Sequence, residues 1–232
     1  MSVTVEIGGL KESLPGEFAQ YEDAFRAGEE AMKQAIAIFG EEGFDEKKGW
    51  TYDAKSENVI VHHKDMKDGR VFAGRTKVLR SSEAVNNEFW NELERAPEWN
   101  ENVKFAKYVA KLTPHADIAH YASNDVLIIK SREFLCGRSY RKMGDAYIVA
   151  ARSFSHKDFP EQKSMVRGHL YLGAGRCRPD PENEKNSIYD YVVCMDLKGM
   201  LFKSAINQVL GRIITSDIEN VKKRNDAFGA NE

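Results

Sequence analysis

Arg138 is the residue whose surroundings in the sequence most strongly suggest a chemical role. It alternates with Phe134, Cys136 and Tyr140, so on a strand all four side chains would lie on one face. An unpaired charge among such apolar groups is very costly to bury, so the guanidinium would need polar partners. A pocket arginine could hydrogen-bond a polar group of a ligand directly or through water. An arginine on the exposed face of an ordinary strand is the alternative.

The histidines and cysteines do not form a catalytic or metal-binding pattern. His62 and His63 are neighbours on a predicted strand and point to opposite faces, so they are poorly placed to share a metal ion. A pair such as His120 and Cys136 could supply a base and a nucleophile, yet neither a nucleophile elbow nor a glycine-rich phosphate loop surrounds them. We therefore predict no catalytic residues, no metal ion and no cofactor.

The cysteines and the N-terminal segment favour the cytoplasm. Cys136, Cys177 and Cys194 match neither a zinc-binding spacing nor a disulfide framework, which is typical of reduced cytosolic thiols. The first residues lack the basic and apolar regions of a signal peptide, and no segment has the roughly 20 apolar residues that span a bilayer. We predict a cytoplasmic protein, with a trimmed targeting or membrane-anchoring segment as the alternative.

The composition predicts one large folded domain with no nucleic-acid partner. The 232 residues, 42% hydrophobic and 30% charged, are enough to build a core and still leave volume for a cavity. The net charge of −2 offers no basic excess for binding phosphates. We expect a monomer. The basic residues Lys222 to Arg224 are predicted to end the last helix, where they would interact with its dipole; weak attraction to an anionic membrane is the alternative.

Three segments have helical periodicity. The first runs over about 18–39 before Gly40, and the second opens at Ser81. The third, over about 200 to 226, has an apolar stripe far larger than a simple tail needs, which suggests a lid over an apolar interior. The stripe comprises Phe202, Ile206, Val209, Leu210, Ile213, Ile214, Ile218 and Val221.

Nine segments read as strands. They are Trp50–Tyr52, Val59–Val61, Val71–Ala73, and runs near 103–112, 116–122, 132–142, 146–154, 165–172 and 187–196. Residues 1–16 are predicted to be a flexible leader, and the proline-rich, charged stretch 176–185 a solvated hairpin loop. Because strands and helices do not alternate, we predict an α+β protein with an antiparallel sheet curled around the last helix.

Five motifs occur in an order that resembles the START (steroidogenic acute regulatory protein-related lipid transfer) domain. They are Glu98–Lys104, Ser131–Phe134, Pro160–Lys163, Asp196–Gly199 and Lys203–Leu210. The resemblance covers about residues 18 to 226 and is nearest to the sterol-binding branch, which has an insect carotenoid-binding member. It implies a helix-grip fold over residues 17–228: a curved nine-stranded antiparallel sheet wrapped around the C-terminal helix, with an internal lipid tunnel.

The resemblance implies that Arg138 faces the tunnel, and it raises a question about the partner of this arginine. The sterol-binding branch carries an acid on the neighbouring strand, and alignment places Tyr121 there. Asp117 lies on the same face, but four residues at about 3.3 Å each would put it about 13 Å further along the strand. We therefore expect the Tyr121 hydroxyl to replace the carboxylate, or the charge to be balanced elsewhere.

The resemblance also implies further positions in the tunnel wall. For several of these residues, plain core packing is the alternative, and Asn100 could equally be a turn residue. The positions are Ala96, Asn100, Val149, Tyr191, Phe202, Ile206, Leu210 and Ile214.

A loop and a turn are predicted to gate the tunnel, again by resemblance. The loop residues are Phe159, Pro160, Glu161, Gln162 and Lys163, and the hinge turn before the last helix contains Asp196 and Gly199.

These observations predict a non-enzymatic carrier that binds one cholesterol-like sterol or isoprenoid lipid and transfers it between membranes, with transient contact at the membrane surface. A carotenoid is the alternative cargo, favoured by the apparent lack of the acid. An enzyme of the helix-grip superfamily would need a general acid or base beside Arg138. A phospholipid carrier would need several cationic or hydroxyl groups converging on a phosphate.

Overall fold

The computed structural model describes residues 3–126, 129–162, 164–199 and 203–229. The strands are β1 (Thr4–Ile7), β2 (Leu10–Ser13), β3 (Thr51–Lys55), β4 (Ile60–Met66), β5 (Gly69–Val78), β6 (Val103–Thr113), β7 (Ala116–Ser123), β8 (Arg132–Met143), β9 (Ala146–Ser153), β10 (Val166–Arg167), β11 (His169–Asp180) and β12 (Asn183–Asp196). The helices are α1 (Glu22–Phe39), α2 (Ser82–Asn91), α3 (Ala96–Trp99) and α4 (Lys203–Gly229). None of these helices combines the length and apolarity needed to cross a bilayer.

One large sheet forms the frame of the protein. Its strand order is β3-β4-β5-β12-β11-β9-β8-β7-β6, and all neighbours on this path are antiparallel. The predicted nine-stranded antiparallel sheet is therefore confirmed. The strand predicted over 165–172 is divided, because the short β10 pairs in parallel with the start of β8 before β11 begins.

The two faces of the sheet carry different helices. On β8, Phe134 and Cys136 join an apolar cluster with α4, whereas Leu135 joins a cluster with α1. This alternation follows from the two-residue period of a strand. Gly137 also faces α1, and a Cβ atom there would lie 1.9 Å from the Ala24 carbonyl oxygen, so only glycine permits this close approach.

The apolar stripe of α4 closes the face of the sheet opposite α1. Leu210, Ile214, Ile218 and Val221 are buried in one cluster with residues of β4, β5 and β12. Their spacing of three and four residues keeps them on one side of the helix. The helix continues to Gly229, so the basic residues Lys222 to Arg224 are not in its last turn, contrary to prediction. Lys222 and Arg224 instead pair with Asp226 and Glu88.

The prediction of a flexible leader is wrong for residues 4–13, which form the β1–β2 hairpin. Val5 and Ile7 are each only 4% exposed because they pack into the apolar clusters beside α1. Gly8 and Gly9 connect the strands with positive φ angles of 60° and 77°, as a tight hairpin turn requires.

The predicted solvated hairpin loop over 176–185 is much shorter in the structure. Strand β11 continues to Asp180 and strand β12 begins at Asn183, so only a two-residue turn separates them. The arginines at the start of the stretch are paired, since Arg176 contacts Asp190 at 2.7 Å and Arg178 contacts Asp45 at 2.9 Å, whereas residues 181–185 are exposed as predicted.

Candidate functional site

A cavity of about 320 Å³ lies between the sheet, α4 and the α2–α3 segment. Strand residues such as Val149 and Ala174 form one wall, Leu210 and Ile214 of α4 another, and Phe89 of α2 a third. Most of the lining is apolar, and the volume is near the lower end of the range for ligand pockets in proteins. The cavity is therefore suited to a small hydrophobic molecule.

Arg138 is paired with Asp117, not with Tyr121. The two residues lie opposite each other on β8 and β7, and the guanidinium donates two hydrogen bonds to the carboxylate, from Nε at 2.8 Å and from Nη2 at 2.7 Å. The expected 13 Å offset of Asp117 and the substitution of Tyr121 for an acid were both wrong. The register pairs Tyr121 with Phe134, four residues from the position that the prediction assumed.

The remaining bonds of Arg138 hold the end of α2. Nη1 donates to the Phe89 carbonyl at 3.1 Å and Nη2 to the Trp90 carbonyl at 3.2 Å, where the helix dipole is negative. Burial opposes the charged form, but Asp117 outweighs it and raises the pKa of Arg138, which stays a cation. These contacts use four of the five guanidinium N–H groups, and the Tyr108 hydroxyl is a further partner of Arg138.

Asp217 of α4 lines the same cavity, as do Glu88 and Glu92, and was not predicted. Its Oδ1 atom accepts hydrogen bonds from the side-chain amides of Asn102 at 2.8 Å and Asn100 at 3.2 Å. Burial raises the pKa of Asp217 above its ordinary 3.8, although these two hydrogen bonds oppose the rise. The sequence held a signal for this residue, because Asp217 interrupts the apolar stripe between Ile214 and Val221.

Asn100 is both a turn residue and a residue of the cavity wall, so its two predicted roles coincide. It follows α3, and its Oδ1 accepts from the Asn102 backbone N–H at 3.0 Å, which closes a local turn. The same oxygen accepts from the Asn220 amide at 3.1 Å. Asn100 thereby links the start of β6 to α4 and orients its own amide towards Asp217.

Three tyrosines line the cavity: Tyr121, Tyr189 and Tyr191. The Tyr121 ring stacks on Phe134, and Tyr189 stacks on Phe89, each at a centroid distance of 5.2 Å. Burial raises the pKa of all three phenols, and the negative charge of Asp217 adds to each rise. All three remain neutral at physiological pH.

Most of the residues predicted to bind a ligand line this cavity. Those that do are Ala96, Asn100, Tyr121, Arg138, Val149, Tyr191, Leu210 and Ile214. Ile206 is half-buried and packs against the neighbouring apolar cluster outside the lining. Phe202 lies outside the described residues. Contact of these residues with a ligand stays a prediction.

Glu133 holds the predicted gating loop against the α1 face of the sheet. Its Oε1 accepts from the Gln162 backbone N–H at 3.1 Å and lies 3.2 Å from Arg167, and its Oε2 is 2.8 Å from His120 Nε2. Burial on its own would raise the pKa of Glu133, but these partners hold it below its usual 4.5. Glu133 is therefore a buried anion that fastens the loop.

Arg132, the preceding residue, holds the predicted hinge on the other face. Its Nε donates to the Leu197 carbonyl at 2.8 Å and its Nη2 to the Lys198 carbonyl at 3.3 Å. Lys198 and Gly199 have positive φ angles of 50° and 79°, and Asp196 accepts from the Lys198 N–H at 2.8 Å. Successive residues of β8 thus hold one predicted gating segment each; we call this pair the Arg132–Glu133 clamp.

The described residues of the predicted gate do not line the main cavity. Phe159 packs against the cluster beside α1, and Phe159, Pro160 and Glu161 border a second, more polar cavity under the loop. Gln162 is bonded to Glu133, and Lys163 lies outside the described residues. Gating by these segments stays a prediction.

Comparisons with known proteins identify the family. Residues 31–230 match the model of the START domain. Steroidogenic acute regulatory-like protein 1 of Caenorhabditis elegans is 39% identical over 210 residues, which cover 90% of this chain and 81% of that protein. The human mitochondrial steroidogenic acute regulatory protein is 27% identical over 209 residues, covering 88% of this chain and 72% of the relative. The solved structure of human StAR-related lipid transfer protein 5 has the same fold, with a TM-score of 0.77 at 18% identity over 90% of this chain and 99% of that one. The chain therefore belongs to the START domain family, as its motifs indicated.

Proposed function

We propose that this protein is a non-enzymatic carrier that binds one sterol or isoprenoid lipid in the cavity and transfers it between membranes. The observation that carries this proposal is the cavity beneath α4, whose lining is mostly apolar and contains few polar groups. The relatives named for steroidogenic acute regulation and lipid transfer support the same class of cargo.

Burial of the ligand would supply most of the affinity. A sterol that hides roughly 400 Å² of apolar surface gains about 10 kcal/mol at about 25 cal/mol per Å², before the costs of association. Polar contacts then orient the molecule rather than hold it. Because α4 covers the cavity, release would require movement of this helix or of the segments held by the Arg132–Glu133 clamp, in contact with a membrane surface.

The pairing of Arg138 with Asp117 supports a sterol over a carotenoid. The carotenoid alternative came from the insect member of the branch and was strengthened by the apparent absence of an acid beside Arg138, but the acid is present at 2.7 Å. A phospholipid headgroup is disfavoured because Arg138 is the single cation among the described lining residues and is already bonded to Asp117 and to two backbone carbonyls.

The test is to load the purified protein from a mixed lipid extract, identify the bound species by mass spectrometry and absorbance, and follow its transfer between donor and acceptor vesicles. We expect one sterol-like molecule per protein, recovered unchanged. Failure to retain any lipid would refute the carrier. A polyene spectrum, a phospholipid mass or a chemically altered product would point to the carotenoid carrier, the phospholipid carrier or the enzyme, respectively.

Two matched variants test whether the ligand binds in this cavity. Val149→Trp fills the cavity from β9, whereas Ile60→Trp adds the same bulk on β4, where the side chain is 51% exposed. We expect Val149→Trp to reduce the bound lipid per protein strongly and Ile60→Trp to leave it unchanged. Equal loading of the two variants would place the lipid outside this cavity.

A further inference from the structure

We propose that Asp217 is the polar anchor of the cavity, whose free carboxylate oxygen binds a hydroxyl group of the ligand. This inference rests on the proposed carrier function and adds the residue that recognises the cargo and the chemical group recognised.

The two oxygens of Asp217 differ in their bonding. Oδ1 accepts from the amides of Asn102 and Asn100, which fixes the orientation of the carboxylate. Among the described residues, no donor bonds to Oδ2. The side chain lines the cavity, so the unbonded oxygen is available to a molecule inside it. An acceptor left without a donor in such a site is costly, and a ligand donor would remove that cost.

The charge of Asp217 is also unbalanced, in contrast to the other charged groups of the lining. Glu88 contacts Arg80 and Arg224 at 2.8 Å each, Glu92 contacts Arg95 at 2.7 Å, and Arg138 contacts Asp117 at 2.7 Å. Asp217 has only amide partners within the described part of the chain. The other charges are occupied by structural pairs, so Asp217 is the charged group most available to a ligand.

A hydroxyl is the ligand group that fits Asp217 in both protonation states. It donates a hydrogen bond to the carboxylate, and it accepts one when the carboxyl is protonated, a form that burial favours here. An ammonium would pair only with the ionised form, and a phosphate would be repelled by it. Tyr121, Tyr189 and Tyr191, whose phenols stay neutral, line the same cavity and suit an uncharged polar group.

The experiment measures how well the cavity distinguishes a hydroxylated lipid from its hydrocarbon counterpart. Two probe pairs are used: cholesterol with the analogue lacking only the hydroxyl, and zeaxanthin with β-carotene. The dissociation constants are compared for the wild type, Asp217→Leu, Asp217→Asn and Arg138→Leu. Glu219→Gln is the matched control, because it removes an acid of the same helix that bonds to Asn58 rather than lining the cavity.

We expect the wild type and Glu219→Gln to prefer the hydroxylated member by about tenfold, the effect of one hydrogen bond of about 1.4 kcal/mol. Asp217→Leu should bring the preference close to one, and Asp217→Asn should keep part of it because the amide still pairs with a hydroxyl. The readout is a ratio, so a merely structural defect, which weakens both ligands equally, would leave it unchanged.

The outcomes separate this inference from the proposed function. Binding of neither pair by the wild type would overturn the carrier proposal and the inference with it. Binding with an unchanged preference in Asp217→Leu would overturn the inference alone. The inference alone would also be overturned if the preference disappeared only in Arg138→Leu, because Arg138 would then be the residue that binds the hydroxyl. If Asp217→Leu does not fold, the ratio of dissociation constants measured for Asp217→Asn is used instead. A preference as large as that of the wild type would then overturn the inference.

Discussion

At the scale of single residues, the buried charge of Arg138 is balanced by a buried carboxylate. Arg138 and Asp117 are 5% and 2% exposed, and each is the ionic partner of the other. The guanidinium also satisfies two carbonyls at the end of α2, so the pair positions a wall of the cavity. Its main described role is therefore to hold the pocket in shape.

Removing the two partners of this pair together should cost less than the sum of removing each alone. We expect Asp117→Ala to lower the free energy of unfolding by about 3–5 kcal/mol, since it leaves a buried cation unpaired. The double variant Asp117→Ala with Arg138→Met should lose less than the sum of the two single variants. Urea unfolding of all four proteins measures this coupling. Glu22→Ala, which breaks the exposed pair with Arg26, is the control and should cost less than about 1 kcal/mol. Additive losses would contradict the predicted coupling.

Asp217 should make the protein less stable at neutral pH than a neutral side chain would. Its folded-state pKa is raised above 3.8, so its contribution to stability is complete below that value and is lost as the pH rises through the folded pKa. We expect Asp217→Asn to raise the free energy of unfolding at pH 7 and the gain to shrink as the pH approaches 4. Urea unfolding across this range measures the difference. A gain that does not depend on pH would argue against an ionisable group with a raised pKa.

At the scale of secondary-structure elements, the start of β8 controls both predicted gating segments. Arg132 and Glu133 are neighbours, so their side chains lie on opposite faces of the sheet. Arg132 reaches the turn before α4, and Glu133 reaches the loop between β9 and β10. A change at one strand end can therefore affect the lid and the loop together.

Weakening Glu133 should release the loop. We expect Glu133→Gln to speed hydrogen exchange of the amides over 156–168, including the Gln162 N–H bonded to this carboxylate. The conservative Asp158→Asn, in the same loop and exposed, should not change the exchange. In the wild type, the stabilisation provided by Glu133 is present above pH 4.5 and is lost as the pH falls through its lowered pKa, so acid should mimic the variant. Unchanged protection in Glu133→Gln would show that other contacts hold the loop.

At the scale of the whole molecule, the two halves of α4 are held differently. The C-terminal half has polar bonds to the rest of the domain: Glu219 to Asn58, Lys222 to the Lys77 carbonyl, and Asp226 to the Leu79 N–H. The described side chains over 209–214 pack mainly through apolar contacts around the cavity. The described part of the helix is thus fixed by polar bonds at its C-terminal end, whereas the side chains described over 209–214 are held by the less specific hydrophobic effect.

This asymmetry predicts how the lid opens. We expect the amides of residues 206–214 to exchange faster than those of 218–226 in the empty protein, and lipid binding to slow the first group more. Hydrogen exchange with mass spectrometry of empty and loaded protein tests this. Equal protection of both halves would indicate that α4 moves, if at all, as one rigid unit.

Much of the fold was predictable from local signals. The two-residue period of the strands and the apolar stripe of α4 are properties of short segments, and both agree with the structure. The Arg138 environment followed from alternation along a single strand. The β1–β2 hairpin was missed although Val5, Ile7 and the Gly8-Gly9 turn signal it, because so short a segment looks polar on average.

The sequence by itself determined which segments become strands and helices, and that an arginine lies on an apolar face. Only the tertiary structure decided which acid meets Arg138, because the loop over 124–131 lets several registers of β7 and β8 satisfy the same alternation. It likewise decided that Asp217 faces the cavity, since this depends on how α4 is rotated against a sheet distant in the chain. Local periodicity specifies a face, whereas register and helix orientation are set by contacts between segments far apart in sequence.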